Sequence, residues 1–276
     1  MKEEIINGIN YRLNEETLTA EVIEKSGGYE GGINIPGIVV FEQVPYLVRS
    51  IGEHAFAGCS SLTSIVIPKS VTTIGEAACA NCLSLQEMII PDNVKKIEEY
   101  AFCDCYSLTS VVIPERVKSI GNHAFKGCSS LTEIVIPNSV EEFGEGAFAG
   151  CSSLKKIVIP ERVKSIGKWV FDGCSSLTEI VIPRRVKSIG EGAFAGCFSL
   201  TEIVIPNKVE EIGLRAFYEC ENLTTVTLSA GVDEIHEKVF DGCLQLKTIY
   251  VPAKKVEHYK LRLPKKLHDK IVELVP

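Results

Sequence analysis

Residues Leu131 to Ser153 read LTEIVIPNSVEEFGEGAFAGCSS, and this pattern returns every 23 residues from Leu62 onward. Its leucines keep that spacing without insertion or deletion, at Leu62, Leu85, Leu108, Leu131, Leu154, Leu177, Leu200, Leu223 and Leu246. A fixed period of roughly 20 to 29 residues is typical of solenoids, in which each repeat forms one turn stacked on the previous one. The sequence therefore predicts an elongated stack of similar turns.

Each repeat contains three short segments with different patterns. Leu131, Ile134 and Ile136 stand among polar or β-branched residues as in a strand, and Pro137 ends it because proline cannot donate to a sheet. The following V-x-x-I-G predicts a second short strand, and A-F-x-G-C is compact enough for one helical or 3₁₀ turn. Since a single turn has nothing to cover its apolar side chains, only stacking buries them.

This pattern resembles the BspA-like leucine-rich repeat family over roughly residues 33 to 252. The resemblance implies a β-rich α/β fold, a curved right-handed solenoid with a parallel sheet on one face. The family is best known from surface and secreted proteins of anaerobic bacteria and some protozoa, so it implies adhesion to host proteins or other cells. No catalytic residue is associated with its repeats.

The chain outside the regular repeats predicts a cap at each end. Residues 1–45 are interpreted as a β-hairpin cap, with a turn at Asn7-Gly8, followed by a degenerate first repeat. Regular repeats occupy 46–252, and 253–276 are interpreted as a helical cap. There Pro264 begins a helix with Leu267, Ile271 and Leu274 on one face.

Two columns of the repeat are rich in glycine. The first precedes the recurring cysteine and contains Asn or Asp in place of glycine at two positions, which predicts a left-handed corner: Gly58, Asn81, Asp104, Gly127, Gly150, Gly173, Gly196, Glu219 and Gly242. The second column, Gly75, Gly121, Gly144, Gly167, Gly190 and Gly213, is interrupted by Glu98 and His236. Either this backbone needs no positive φ, or those two turns are strained.

Composition and charge exclude several classes of function. The net charge of −7 argues against a general nucleic-acid binder, which needs a basic surface. No segment approaches the ~18 consecutive apolar residues of a membrane span, so membrane insertion is not expected. No signal peptide follows Met1, which leaves two locations open: the cytoplasm, or the cell surface or exterior after removal of an upstream signal peptide.

Nine cysteines also recur every 23 residues, at positions 59, 82, 105, 128, 151, 174, 197, 220 and 243. Their parallel orientation and odd number argue against disulfides, so we interpret them as buried free thiols. Cys79 and Cys103 add a C-x-x-C and a C-x-C on adjacent turns, a possible zinc tetrad. Because Cys79 occupies a core phenylalanine column, we expect free thiols, with no metal and no cofactor. The scattered histidines and the absence of catalytic motifs predict no enzyme.

The sheet face is the candidate binding surface. If Ile134 and Ile136 point inward, an outward column of seven aliphatic residues, here called the aliphatic stripe, contains Val66, Ile89, Val112, Val135, Val158, Val181 and Val204. Beside it a second column, here called the charged column, includes Glu87, Glu133, Lys156, Glu179 and Glu202. Strand propensity alone explains valine at such positions, whereas exposed contiguous apolar surface indicates an interaction site. Both interpretations stay open.

The leading hypothesis is a non-catalytic protein-binding module that acts in adhesion or in contact with host or cell-surface proteins through this sheet face. The alternative is an intracellular scaffold or regulatory interaction module, which the reduced cysteines favour. In both cases the partner is another protein.

Overall fold

Two rows of short parallel strands follow the chain through about ten turns in the computed structural model, which describes residues 1–274. Six strands precede the regular repeats: β1 (Lys2–Ile6), β2 (Ile9–Asn14), β3 (Thr19–Val22), β4 (Gly31–Asn34), β5 (Ile38–Phe41) and β6 (Val44–Ile51). The strands of the repeats are β7 (Leu62–Val66), β8 (Thr73–Ile74), β9 (Glu87–Ile89), β10 (Lys96–Ile97), β11 (Ser110–Val112), β12 (Ser119–Ile120), β13 (Glu133–Ile134), β14 (Glu142–Phe143), β15 (Lys156–Val158), β16 (Ser165–Ile166), β17 (Glu179–Val181), β18 (Ser188–Ile189), β19 (Glu202–Val204), β20 (Glu211–Ile212), β21 (Thr225–Thr227), β22 (Glu234–Ile235) and β23 (Thr248–Val251).

The odd-numbered strands from β7 onward form the longer row and the even-numbered ones the second row. Within each row, parallel pairing with a register of one repeat joins two to four neighbouring strands at a time, so that Ile157 lies opposite Ile180 and Ile189 opposite Ile212. Each strand therefore sits beside its counterpart in the next turn. The predicted β-rich leucine-rich-repeat solenoid is confirmed.

The core lies between the two rows and consists of columns of identical side chains. Phenylalanines from Phe102 to Phe240 stack with ring centroids 5.3 to 5.7 Å apart in successive turns. These rings and the repeat leucines are almost fully buried. Cys79 occupies the position between Phe56 and Phe102 and is also buried, so it interrupts the aromatic stack without leaving the core.

The corner formed by A-F-x-G-C is a series of turns, not the helical or 3₁₀ turn that the sequence predicts. Along this corner the backbone amides alternate: one donates a hydrogen bond within its own turn, and the following one donates to the next turn of the solenoid. Cys128 N donates to Phe125 O at 3.2 Å, whereas Phe125 N donates to Ala147 O at 2.9 Å and Gly127 N to Ala149 O at 2.7 Å. Because half of these amides bond to the next turn, a helix cannot continue here. Stacking takes precedence over local structure.

The two glycine columns have different roles. Every residue of the first has positive φ, from 54° at Glu219 to 80° at Gly242, so the predicted left-handed corner is confirmed. The second column does not have positive φ. A Cβ at Gly144 would instead lie 2.4 Å from the backbone N of Asn122 in the preceding turn. Close approach between turns, and not left-handed backbone, explains the glycines of this column except Gly167, where a Cβ would meet no atom nearer than 3.7 Å.

An antiparallel hairpin of β1 and β2 begins the chain, with its turn at Asn7 and Gly8 as the sequence predicts. β2 pairs with β3, β3 lies parallel to β6, and β6 pairs with both β5 and β8. The buried side chains of Tyr11 and Leu13 extend the core into this sheet. The hairpin therefore covers the first turn and is continuous with the second row.

The C-terminal end differs from its predicted helix. A short helix α1 (Val256–Lys260) is followed by a 3₁₀ helix (Lys265–Lys270), and the chain then forms strand β24 (Ile271–Glu273), which pairs in parallel with β23. The predicted helix from Pro264 through Leu274 is therefore wrong beyond Lys270. Without β24, strand β23 would present an open edge, and the β-branched Ile271 and Val272 suit a strand. Residues 275 and 276 of the predicted cap lie outside the described residues.

Candidate protein-binding face

All seven residues of the aliphatic stripe point away from the core. Between 57% and 78% of their surface is exposed: Val66, Ile89, Val112, Val135, Val158, Val181 and Val204. Their neighbours along the chain, such as Ile157 and Ile159, are buried, except for the partly buried Ile67. The alternation along each strand thus directs one aliphatic side chain per turn outward.

Register between strands aligns these side chains into one line. Val158 lies opposite Val181, and Val112 pairs with both Ile89 and Val135. With ~4.8 Å between neighbouring strands, seven members extend over about 29 Å. The line continues through Thr227 and Tyr250 to Val272 of β24, because these residues are in register with Val204. Val272 was missed from the sequence, since its segment was predicted to be helical.

The charged column runs beside the stripe on the same face. Glu87, Glu133, Lys156, Glu179 and Glu202 are all exposed. Lys156 Nζ lies 2.8 Å from Glu179 Oε1, and this hydrogen-bonded ion pair lowers the pKa of the Glu179 carboxyl. Lys156 is also in register with Glu133. The column is therefore acidic on balance, with one lysine between two glutamates.

A groove of about 1190 Å³ lies over the C-terminal half of this face. Its floor includes Val181, Val204 and Thr227, and Leu274 lines the end next to β24. Glu179 and Glu202 lie along one side. The residues that follow the strand-ending prolines lie along the other side, and they include Glu161, Arg184 and Lys208. The groove thus has an apolar centre, one acidic flank and one flank of mixed charge that is basic on balance.

Arg184 and Lys208 were also missed from the sequence. Both are exposed. Arg184 follows the strand-ending Pro183 directly, and Lys208 lies two residues after Pro206. The counterparts of Arg184 in other turns vary in charge, whereas Lys208 aligns with Arg116, Arg162 and Arg185 in a basic column that the sequence does contain. Only the shape of the groove associates them with the stripe.

The cysteine ladder has a structural role. From Cys82 to Cys243 each thiol of the ladder donates to a backbone carbonyl 26 residues earlier, as Cys151 Sγ does to Phe125 O at 3.2 Å and Cys174 Sγ to Phe148 O at 3.3 Å, whereas Cys59 Sγ accepts from Tyr29 N. All eleven cysteines are free. Burial raises the pKa of the Cys151 and Cys174 thiols well above the ordinary value. These thiols are therefore held protonated as internal donors.

The four cysteines of the possible zinc tetrad are not brought together. Cys79, Cys82 and Cys105 belong to the main core, whereas Cys103 packs outside it with Ala77 and Ala80. Among residues 1–274, no three side chains of His, Cys, Asp or Glu are arranged to bind a metal. In the same part of the chain, no helix combines the length and apolar character needed to cross a bilayer.

The chain is similar to known proteins over most of its length. A model of the BspA type leucine-rich repeat region matches residues 41–155 and 142–260, with six copies. A leucine-rich repeat protein from Bacteroides ovatus is 28% identical with a TM-score of 0.68, over 98% of this chain and 78% of that chain. The T. pallidum leucine-rich repeat protein is 31% identical with a TM-score of 0.63, over 72% of this chain and 91% of that chain.

More distant structures share the fold alone. The pneumococcal vaccine antigen PcpA has a TM-score of 0.50 at 15% identity, over 100% of this chain and 99% of that chain. No curated protein matches the chain. Repeats of this type are typically protein-interaction modules without enzymatic activity.

Proposed function

Because the chain belongs to the BspA type leucine-rich repeat family, we propose that it is a non-catalytic protein-binding module that contacts its partner through the sheet face. The observation that carries the proposal is the aliphatic stripe, seven aligned aliphatic side chains that remain more than half exposed. Contiguous exposed apolar surface of this kind usually marks an interaction site. The seven residues of the stripe and the five named residues of the charged column, twelve in all, form the proposed contact surface.

The apolar and the charged groups of the site have different roles. Burial of the valines against a partner supplies affinity, since each CH₂ removed from water contributes about 0.8 kcal/mol. Glu133, Glu179 and Glu202 supply orientation and favour a partner with basic groups, because electrostatic complementarity steers association. No step of this mechanism requires a nucleophile, a metal or a cofactor.

We assign the module to adhesion, in contact with host or cell-surface proteins, as the finer part of the proposal. Its test is a competition experiment, in which bacteria or beads coated with the chain attach to cultured cells. Attachment is measured with the free chain added in solution. The wild-type chain should inhibit attachment, and a variant with Val135→Thr, Val158→Thr and Val181→Thr should not. Threonine keeps the strands because it is also β-branched.

A matched control is the variant Thr132→Ser, Lys155→Arg and Thr178→Ser, which changes exposed residues of the same three turns outside the stripe. It should inhibit as the wild type does. Equal inhibition by the wild type and the stripe variant would contradict a role of the sheet face. No inhibition by any form would contradict adhesion.

The eleven free cysteines favour a second candidate, an intracellular scaffold, because reducing compartments keep thiols free. Immunolabelling separates the two candidates. Antibody that binds intact cells supports the surface module, whereas labelling only after permeabilisation supports the scaffold.

A further inference from the structure

We propose that the groove over the C-terminal half of the sheet face receives an amphipathic α-helix of the partner, and this inference rests on the proposed function. The helix directs an apolar face toward Val181 and Val204, a basic flank toward Glu179 and Glu202, and an acidic flank toward Arg184. Spacing, groove size and charge support this occupant.

The spacing of the stripe matches the pitch of a helix. The stripe presents one side chain per strand, or one per ~4.8 Å along the solenoid. An α-helix presents its apolar face once per turn of ~5.4 Å. Over four strands the two repeats differ by less than about 2 Å, which flexible apolar side chains absorb. Helix side chains can therefore lie between successive valines.

An extended segment fits the stripe less well. Its side chains on one face recur every ~6.7 Å, so they fall out of step with the strands after one residue. If the segment instead lay along a strand, it would reach only one member of the stripe in each turn. The backbone N–H and C=O groups of parallel strands point toward neighbouring strands in the plane of the sheet, so an extended segment that lies across the face gains no hydrogen-bond ladder there.

The size of the groove suits about three helical turns. An α-helix of ten residues, nearly three turns, is roughly 15 Å long. The groove extends from the turn of Val181 through those of Val204 and Thr227 to Ala253, and three strand spacings make ~14 Å. The two lengths agree.

The two sides of the groove differ in charge: Glu179 and Glu202 line one side, and Arg184 and Lys208, with Glu161, line the other, which is basic on balance. Glu202, Arg184 and Lys208 form no ion pair within residues 1–274, whereas Glu179 pairs with Lys156. Glu202, Arg184 and Lys208 therefore remain available to a partner. A helix with lysines along one flank and glutamates along the other meets both sides with opposite charge.

The test uses three synthetic peptides of about 18 residues, which is five helical turns. The split peptide has leucines on one face, lysines on one flank and glutamates on the other. The proline peptide is the same sequence with one central proline, which breaks the helix. The acidic peptide has glutamates on both flanks. Fluorescence anisotropy measures their binding to the full chain and to its Glu179→Lys, Glu202→Lys variant.

We expect the wild-type chain to bind the split peptide at least about tenfold more tightly than the proline peptide, because the helix must form in the groove. The wild type should also prefer the split to the acidic peptide, and the lysine variant should reverse that preference. A helix that binds in the opposite direction turns each flank toward the other side of the groove. The split peptide can therefore match both sides in one of the two directions, and the comparison of peptides does not depend on which direction that is. Circular dichroism of the variant verifies its fold.

Equal binding of the split and proline peptides, no binding of the split peptide, or an unchanged preference in the lysine variant would overturn the inference. These outcomes are separable from failure of the proposed function. If Val135→Thr, Val158→Thr and Val181→Thr abolish inhibition of attachment while the split peptide does not bind, the face binds protein but not a helix. If neither experiment responds, both proposals fail.

Discussion

Close backbone approach between turns limits what single residues of this solenoid can be. Gly144 and Gly167 occupy the same column of adjacent repeats, yet their surroundings differ. A Cβ at Gly144 would lie 2.4 Å from Asn122 N, whereas at Gly167 the nearest atom outside its chain neighbours would be Phe143 O or Val170 Cγ2, at 3.7 Å. One column therefore contains both an intolerant and a tolerant position.

We predict that Gly144→Ala lowers the free energy of unfolding by about 1–3 kcal/mol, the usual cost of overpacking. Gly167→Ala should be neutral or slightly stabilising, because it restricts the unfolded chain without a clash. Urea unfolding of the two variants beside the wild type measures both effects. Equal effects of the two substitutions would contradict the close approach at Gly144.

The buried thiols make stability fall at alkaline pH. Burial raises the pKa of Cys128, Cys151 and Cys174 above the ordinary value of 9.0. In the unfolded chain these thiols ionise as pH rises through about 9, while in the folded chain they stay protonated. The unfolded state then binds fewer protons, so the stability present below that pH is lost as pH rises.

We expect each such thiol to contribute a loss of up to about 1.4 kcal/mol per pH unit above about pH 9. The measurement is the urea midpoint, with reductant present, at several values between about pH 7 and pH 10. Cys151→Ala should be less stable at neutral pH but should show a shallower alkaline slope. A midpoint that does not fall above about pH 9 would refute protonated buried thiols.

Residue-level features were predictable where substitutions revealed them. Asn81 and Asp104 in place of glycine indicated the left-handed corner correctly. A second positive-φ column, which includes His54, Trp169 and Arg215, was missed. Large side chains are tolerated in this column because hydrogen bonds to the next turn hold the backbone at positive φ. In the sequence, only Gly146 and Gly192 indicated this conformation.

At the scale of the elements, β24 decides how the sheet ends. Leu267, Ile271 and Leu274 have helical spacing, yet the chain leaves its 3₁₀ helix at Lys270 and pairs with β23. Local periodicity could not predict this, because an open strand edge exists only in the folded stack. The sequence reveals repeats well and the segments that close them poorly.

Truncation after Lys270 should therefore expose the edge of β23. We predict concentration-dependent self-association of that truncated chain, because unpaired edges template further pairing. A chain truncated after Glu273 keeps β24 and is the matched control. Light scattering coupled to size-exclusion chromatography measures the molar mass of both. If the shorter chain stays as monodisperse as the control, β24 does not protect the sheet.

At the scale of the whole molecule, stability is distributed along the stack, since each turn contacts only its neighbours. Phe171 stacks on Phe148 at 5.7 Å and on Phe194 at 5.5 Å. Among the described residues, Phe240 stacks on one phenylalanine, Phe217. A cavity in the middle of the stack therefore weakens two interfaces, and one near its end weakens one.

We predict that Phe171→Ala costs about 3–5 kcal/mol and Phe240→Ala less. Hydrogen exchange should show lost protection in the turns on both sides of Phe171, while the N-terminal hairpin keeps its protection. The same experiment on Phe240→Ala should affect only the last turns. Uniform loss of protection throughout the chain in both variants would contradict a stack held by neighbour contacts.

The whole surface also explains why the sequence could indicate a binding face but not its full extent. The aliphatic stripe follows from the period and strand alternation, and so Val66 to Val204 could be named in advance. The groove depends on how the turns are stacked and on where β24 lies, so Val272, Arg184 and Lys208 could not. Their contribution arises from tertiary structure.

The central claim is that the sheet face, and not the corners, contacts the partner, and nuclear magnetic resonance tests it most directly. In one sample the valine methyl groups and the indole N–H of Trp169, the only tryptophan, report on the face and on a corner. On titration with the partner, we predict shifts for Val135, Val158 and Val181 and none for Trp169. Shifts at Trp169 with unchanged stripe methyls would contradict the account.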